Sequence, residues 1–79
     1  MTLDKHALDG IARIKSKTLP TDEFDALLLA AGYRQIGSAP AKGRRLKVWW
    51  THDRYRRIEA IYSPDGRVAI TAYHLDESR

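Results

Sequence analysis

The chain has 79 residues, 3 histidines, no cysteine and a net charge of +4. That length supports a single domain over residues 1–79, burying only about 60% of its unfolded surface, and the missing cysteines exclude a disulfide framework and a thiolate zinc site. The opening Met1-Thr2-Leu3-Asp4-Lys5-His6 lacks the apolar run of a secretory leader, and no stretch approaches the roughly 20 apolar residues of a membrane span; a cytoplasmic protein with no membrane partner is expected.

Leu3, Ala7, Leu8, Ile11 and Ile14 recur at helical spacing and predict an amphipathic helix over residues 3–17, capped by Thr2 and weakened at Gly10. His6, Arg13 and Lys17 fall along one edge of its apolar stripe. Pro20 disfavours helical geometry at Leu19, and Thr21 can cap the amides after it, so a second helix starts there with Asp22 and Glu23 at its positive end. Phe24, Leu27, Leu28 and Ala31 form its buried stripe, and Gly32-Tyr33 is its stop. An edge strand is expected over residues 33–37, then a loop over 38–43 that contains Pro40. This loop is the expected mobile segment, carrying Arg44 and Arg45 towards whatever the sheet binds.

Residues 46–74 read as three strands in meander order. In Ser63-Pro64-Asp65-Gly66, Pro64 presets the first turn position and Gly66 can take the positive φ that closes a bulged hairpin. Setting Ser63 opposite Arg67 pairs Tyr62 with Val68, Ala60 with Ile70 and Ile58 with Ala72. An odd-numbered first loop pairs Trp50 with Ile58, Val48 with Ala60 and Leu46 with Tyr62, burying Trp50 and leaving Trp49 on the other face. The expected fold is α+β in the order ααββββ: two N-terminal helices packed on one face of a four-stranded antiparallel meander sheet.

The same registers place His52 beside Arg56 and Arg56 beside His74. Neighbouring strands lie about 5 Å apart, so two histidines flank an arginine in one row. Cleavage of RNA through its 2′-hydroxyl needs a base, an acid and a cation for the phosphate. His52 and His74 suit the first two roles, since imidazole changes charge near neutrality, and Arg56 suits the third. The blander alternative is a capped sheet end with two solvated histidines. Three histidines without close spacing, around an arginine, make a poor metal site, and neither metal nor cofactor is expected. No Gly-rich phosphate loop, nucleophile elbow or basic recognition helix is present.

Positive charge concentrates between Lys42 and Arg57, where Asp53 is the one acid. A basic patch favours RNA or another polyanion, or keeps a small protein soluble. Arg44, Arg45, Lys47, Arg54 and Arg57 would hold a strand, with Trp49, Tyr55 or Tyr73 stacking a base.

Two helices followed by a basic meander ending Ile70-Thr71-Ala72-Tyr73-His74 resemble, in layout, the small bacterial ribonuclease toxins of the RelE and barnase/EndoU/colicin-like group. The resemblance implies active residues drawn from Lys, Arg, His and Tyr on the sheet, which by position are Arg56, Arg57, Tyr73 and His74, and a cognate antitoxin as partner. His6 with Ala7-Leu8 is similar to the helix-borne histidine of some relatives. Leu28 to Ser38, with Gly32-Tyr33-Arg34-Gln35-Ile36-Gly37-Ser38 at its end, is similar to the opening of HicA toxins, but Ala39 stands where their catalytic histidine follows Gly-Ser. That departure counts against a HicA mechanism.

The competing classes are a non-enzymatic inhibitor or adaptor encoded by a mobile element, as anti-CRISPR proteins are, docking on a host nucleoprotein complex through Trp49, Tyr55 and the arginines, and an RNA-binding module without turnover.

Overall fold

A computed structural model describes residues 2–75. Its elements are β1 (Leu19–Pro20), α1 (Thr21–Ala30), β2 (Arg34–Pro40), β3 (Leu46–Thr51), β4 (Ile58–Tyr62) and β5 (Val68–His74), with short 3₁₀ turns at Leu3–Lys5 and Lys42–Arg44. The five strands form one antiparallel sheet in the order β1-β5-β4-β3-β2. This corrects the expected ααββββ layout: among the described residues there is one α-helix, and the sheet has five strands rather than four.

The expected first helix is the larger error. Only Leu3–Lys5 turns, His6 is already extended at φ −128°, and Gly10 sits at φ +80°, a left-handed geometry that breaks a right-handed helix. Residues 6–18 instead form an irregular strap that meets β5 at His74, where Asp9 is bonded. The Leu3 amide donates to the Lys17 carbonyl at 2.8 Å, and the Thr71 hydroxyl to the Thr2 carbonyl at 3.4 Å. Leu3, Leu8 and Ile14 are buried as their spacing suggested, but by tertiary contact rather than as one helical stripe. A short isolated helix interrupted by glycine has little stability of its own, so packing decides its conformation.

Helix α1 begins and ends where the sequence places it. Thr21, however, does not cap it: its hydroxyl donates to the Gly66 carbonyl at 2.7 Å and its amide to the Arg67 carbonyl at 2.8 Å, pinning the helix start to the β4–β5 turn. At the other end Gly32 takes φ +98°, with the Gly32 amide on the Leu29 carbonyl at 3.1 Å and the Tyr33 amide on the Leu28 carbonyl at 3.0 Å. These two bonds satisfy the last carbonyls as a Schellman stop does. Phe24 and Leu28 are buried, whereas Leu27 is exposed.

The β3–β4 register is the expected one, pairing Leu46 with Tyr62, Val48 with Ala60 and Trp50 with Ile58. Trp50 is accordingly buried and Trp49 half-buried. The β4–β5 register differs: Ile58 pairs with His74 and Ala60 with Ala72. The pairing steps from Ile61–Thr71 to Tyr62–Ala69, so Ile70 is an extra, bulged residue and half-exposed. Gly66 takes the expected positive φ, +74°, with its amide on the Ser63 carbonyl at 2.8 Å, but the Ser63 amide bonds the Val68 carbonyl at 2.8 Å, so Ser63 faces Val68 rather than Arg67.

Residues 38–43 are not a mobile loop. β2 continues to Pro40, which an edge strand tolerates because its N–H side need not pair. Gly43 at φ +72° and Arg44 at φ +65° then make a tight hairpin turn closed by the Ala41 amide on the Arg45 carbonyl at 2.9 Å. Tyr62 donates to Asp25 at 2.5 Å across the core, and burial, then Asp25, pushes its phenol pKa up. The buried Trp50 indole N–H has no hydrogen-bond partner among the described residues; it lies close enough to Tyr62 to favour the phenolate slightly, an effect weaker than burial.

Candidate functional site

The two sheet ends differ in what they display. At the β2–β3 turn lie Arg44 and Arg45; at the β3–β4 loop, residues 52–57, lie Arg54, Arg56 and Arg57. Six residues of β3 separate the two groups by about 20 Å. The basic segment read as one patch is therefore split, and Arg44 and Arg45 stand far from every histidine of the proposed row.

Concavity is found at the β3–β4 end. There Lys5, His6 and Ala7 from the N-terminal turn face Arg56, Tyr73 and His74 around an open cleft of about 530 Å³. The His6 ring meets Tyr73 edge-on, with centroids 5.8 Å apart. Tyr73 is held in turn by Glu59: its hydroxyl donates to one carboxylate oxygen of Glu59, while the Trp49 indole donates to the other at 3.0 Å. Burial, then the Glu59 carboxylate, pushes the Tyr73 phenol up to about 12, so it remains a neutral donor through the physiological range. Lys47 shares that sheet face with Trp49, and Glu59 stands opposite Tyr73.

His52 and His74 do not flank Arg56 in a row. His74 pairs with Ile58, and its side chain is only 5% exposed. Its Nδ1 lies 3.1 Å from the Arg56 carbonyl and its Nε2 accepts the Asp9 amide at 2.9 Å, which together select the neutral tautomer protonated on Nδ1. His52 is tied in the mirror sense. Its Nε2 lies 2.9 Å from the Ala31 carbonyl and its Nδ1 accepts the Arg54 amide at 2.9 Å, so the proton sits on Nε2. Both nitrogens of both rings are thus committed to backbone groups. A ring bound in this way must break a backbone hydrogen bond before it can exchange a proton with a substrate.

Asp9 is the centre of the strap's attachment. Beyond its amide bond to His74, its carbonyl accepts the Tyr33 hydroxyl at 2.7 Å, and its carboxylate lies 3.9 Å from the Arg56 guanidinium and 3.5 Å from His74 Nε2. Burial, then Asp9 and Tyr55, pushes the Tyr33 phenol up to about 12, with Arg56 opposing. Tyr33, His52 and Tyr55 form a ring cluster, with centroids at 4.8 Å for Tyr33–His52, 4.5 Å for His52–Tyr55 and 6.2 Å for Tyr33–Tyr55. Arg34 pairs loosely with Asp53 at 3.7 Å, both being exposed.

Lys5, Asp9, Tyr33 and Glu59 are not among the site residues that the sequence suggests. Asp9 and Tyr33 matter only once the strap crosses β5, a contact between residues far apart in the chain. Lys5 was legible as the neighbour of His6, but a helix over 3–17 would have turned the two away from a common cleft.

Among the described residues no group of three or more His, Asp or Glu is arranged to hold a metal ion. Among the described residues no helix is long and apolar enough to cross a membrane. Comparison with protein-family models, with curated proteins and with solved structures returns no match.

Proposed function

We propose that this protein is an RNA-binding, metal-independent endoribonuclease whose working cleft is lined by Lys5, His6, Arg56 and Tyr73. The observation that supports it is the convergence of two cations, an imidazole and a neutral phenol around one open concavity. Of the three residues first assigned to catalysis, Arg56 keeps its role; His52 and His74 become structural because their nitrogens are bonded to the backbone.

In this reading a phosphodiester enters between Lys5 and Arg56, with the Arg56 guanidinium on the non-bridging oxygens. His6 takes the proton of the 2′-hydroxyl, whose oxygen attacks phosphorus to form a cyclic phosphate. The bond from phosphorus to the 5′-oxygen breaks, and Lys5 supplies the proton that the departing oxygen needs. Tyr73 holds the His6 ring from the side, and Glu59 fixes Tyr73.

The test is incubation of purified protein with labelled single-stranded and structured RNAs in the presence of a chelator, read on a denaturing gel. Cleavage by the wild type that disappears in His6→Ala and persists in folded His52→Ala supports the assignment. RNA left intact by the wild type rules out the enzyme and leaves the two non-catalytic classes, which RNA binding then separates: an RNA-binding module retains the strand, whereas an adaptor acting on a protein partner does not.

A further inference from the structure

Among the described residues Tyr55 is one of four large hydrophobic side chains left exposed, at 37%, and it is the one that sits among arginines. Its ring is held from behind. His52 packs against it at 4.5 Å with planes tilted by 38°, Tyr33 backs both rings, and the Gly10 backbone presses on its edge so closely that a Cβ there would lie 2.6 Å from Cε2. His52 is itself fixed by bonds at both nitrogens, and one of them, from the Arg54 amide, sets the path of the loop that carries Tyr55. A side chain that only sealed the core would not need this much orientation while leaving over a third of its surface in water.

From this geometry we infer that Tyr55 is a stacking platform for one unpaired nucleobase of single-stranded RNA, next to the phosphate held at Arg56. The inference rests on the RNA reading above and deepens it by naming the form of the substrate. Stacking on an aromatic ring requires an open base face, which a paired base inside a duplex does not offer. Preorganisation by His52, Tyr33 and Gly10 removes most of the side-chain ordering cost of binding. Arg54 and Arg56 adjoin Tyr55 in the chain, with consecutive Cα atoms about 3.8 Å apart, so the backbone phosphates on either side of a stacked base meet guanidinium groups. Arg56 also lines the cleft, which joins the platform to the site of cleavage.

The test uses two hexamers that cannot be cut: a 2′-O-methyl RNA and a fully abasic strand with the same phosphates. Affinities are measured for the full chain, for Tyr55→Phe, for Tyr55→Leu and for Arg56→Ala, each checked for folding by thermal melting. The wild type and Tyr55→Phe should favour the base-bearing strand at least about fivefold, the lower end of base–aromatic stacking, and Tyr55→Leu should lose that preference. Arg56→Ala should weaken both strands alike. A preference undiminished in Tyr55→Leu, or absent from the wild type, overturns the platform while leaving the RNA reading intact. Failure of the wild type to bind either strand overturns both.

Discussion

The backbone amide of Asp9 donates to Nε2 of His74 at 2.9 Å, joining two residues 65 positions apart in the chain. This bond anchors the N-terminal strap to β5 and gives His74 Nε2 a structural role as an acceptor. Replacing His74 by Ala leaves the Asp9 amide and the Arg56 carbonyl without their partner. It should destabilise the fold by about 1–3 kcal/mol, the usual cost of orphaned polar groups together with lost packing. Urea denaturation checks the loss. Lys5→Ala, at an exposed position on the same segment, should shift the urea midpoint much less; equal midpoints for the two variants would mean that the strap is not held at His74.

Gly10 and Gly43 form a matched pair. Both take a left-handed φ, +80° and +72°, but a Cβ at Gly43 meets nothing within 4 Å, whereas at Gly10 it meets the Tyr55 ring at 2.6 Å. Gly43→Ala therefore measures backbone strain alone, about 1 kcal/mol. Gly10→Ala should cost about 1–3 kcal/mol more, because the ring must move. Their chemical denaturation curves give the difference directly.

Arg44 occupies the second left-handed position of the β2–β3 turn at φ +65°. A side chain with a Cβ is strained there, so Arg44→Gly should stabilise the protein by about 1 kcal/mol and Arg44→Val should destabilise it. A raised denaturation midpoint for the glycine variant is the expected outcome. Because the residue lies about 20 Å from the cleft, RNA cleavage should survive the change.

Alkaline pH should unfold the protein through its tyrosines. Burial comes first among the causes that raise the phenol pKa values of Tyr33, Tyr62 and Tyr73, with Tyr33 and Tyr73 reaching about 12 from an ordinary value of 10.0. The unfolded chain releases these protons near 10.0, while the folded one keeps them. Between those values the native state binds more protons, so stability is full below the unfolded pKa and falls as pH rises towards about 12. Tyrosinate absorbance followed together with circular dichroism should show these three rings ionising as the fold is lost. Ionisation of all tyrosines near 10.0 with the fold intact would contradict the burial argument.

What the sequence by itself determined is local. Gly32-Tyr33 ends α1 because a positive φ there satisfies the last helix carbonyls, and Ser63-Pro64-Asp65-Gly66 closes the second hairpin because each residue suits its own turn position. Parity alone placed Trp50 in the core and Trp49 outside it, since strand side chains alternate faces. The β2–β3 turn escaped notice because arginine occupies a position where asparagine or glycine is the usual signal.

The tertiary structure decided the rest. Leu3, Leu8 and Ile14 needed burial, and helical spacing was one way to supply it; Gly10 and the edge of β5 supplied another. The turn and the bulge at Ile70 each add one residue on the β5 side, and together they move His74 from Arg56 to Ile58, a two-residue shift that returns His74 to the same face. The candidate cleft followed from both events, because Lys5 and His6 reach Arg56 and Tyr73 only when the strap runs extended across the sheet end. Contacts between residues so far apart depend on how segments compete for one core, and no local window of the chain contains that competition.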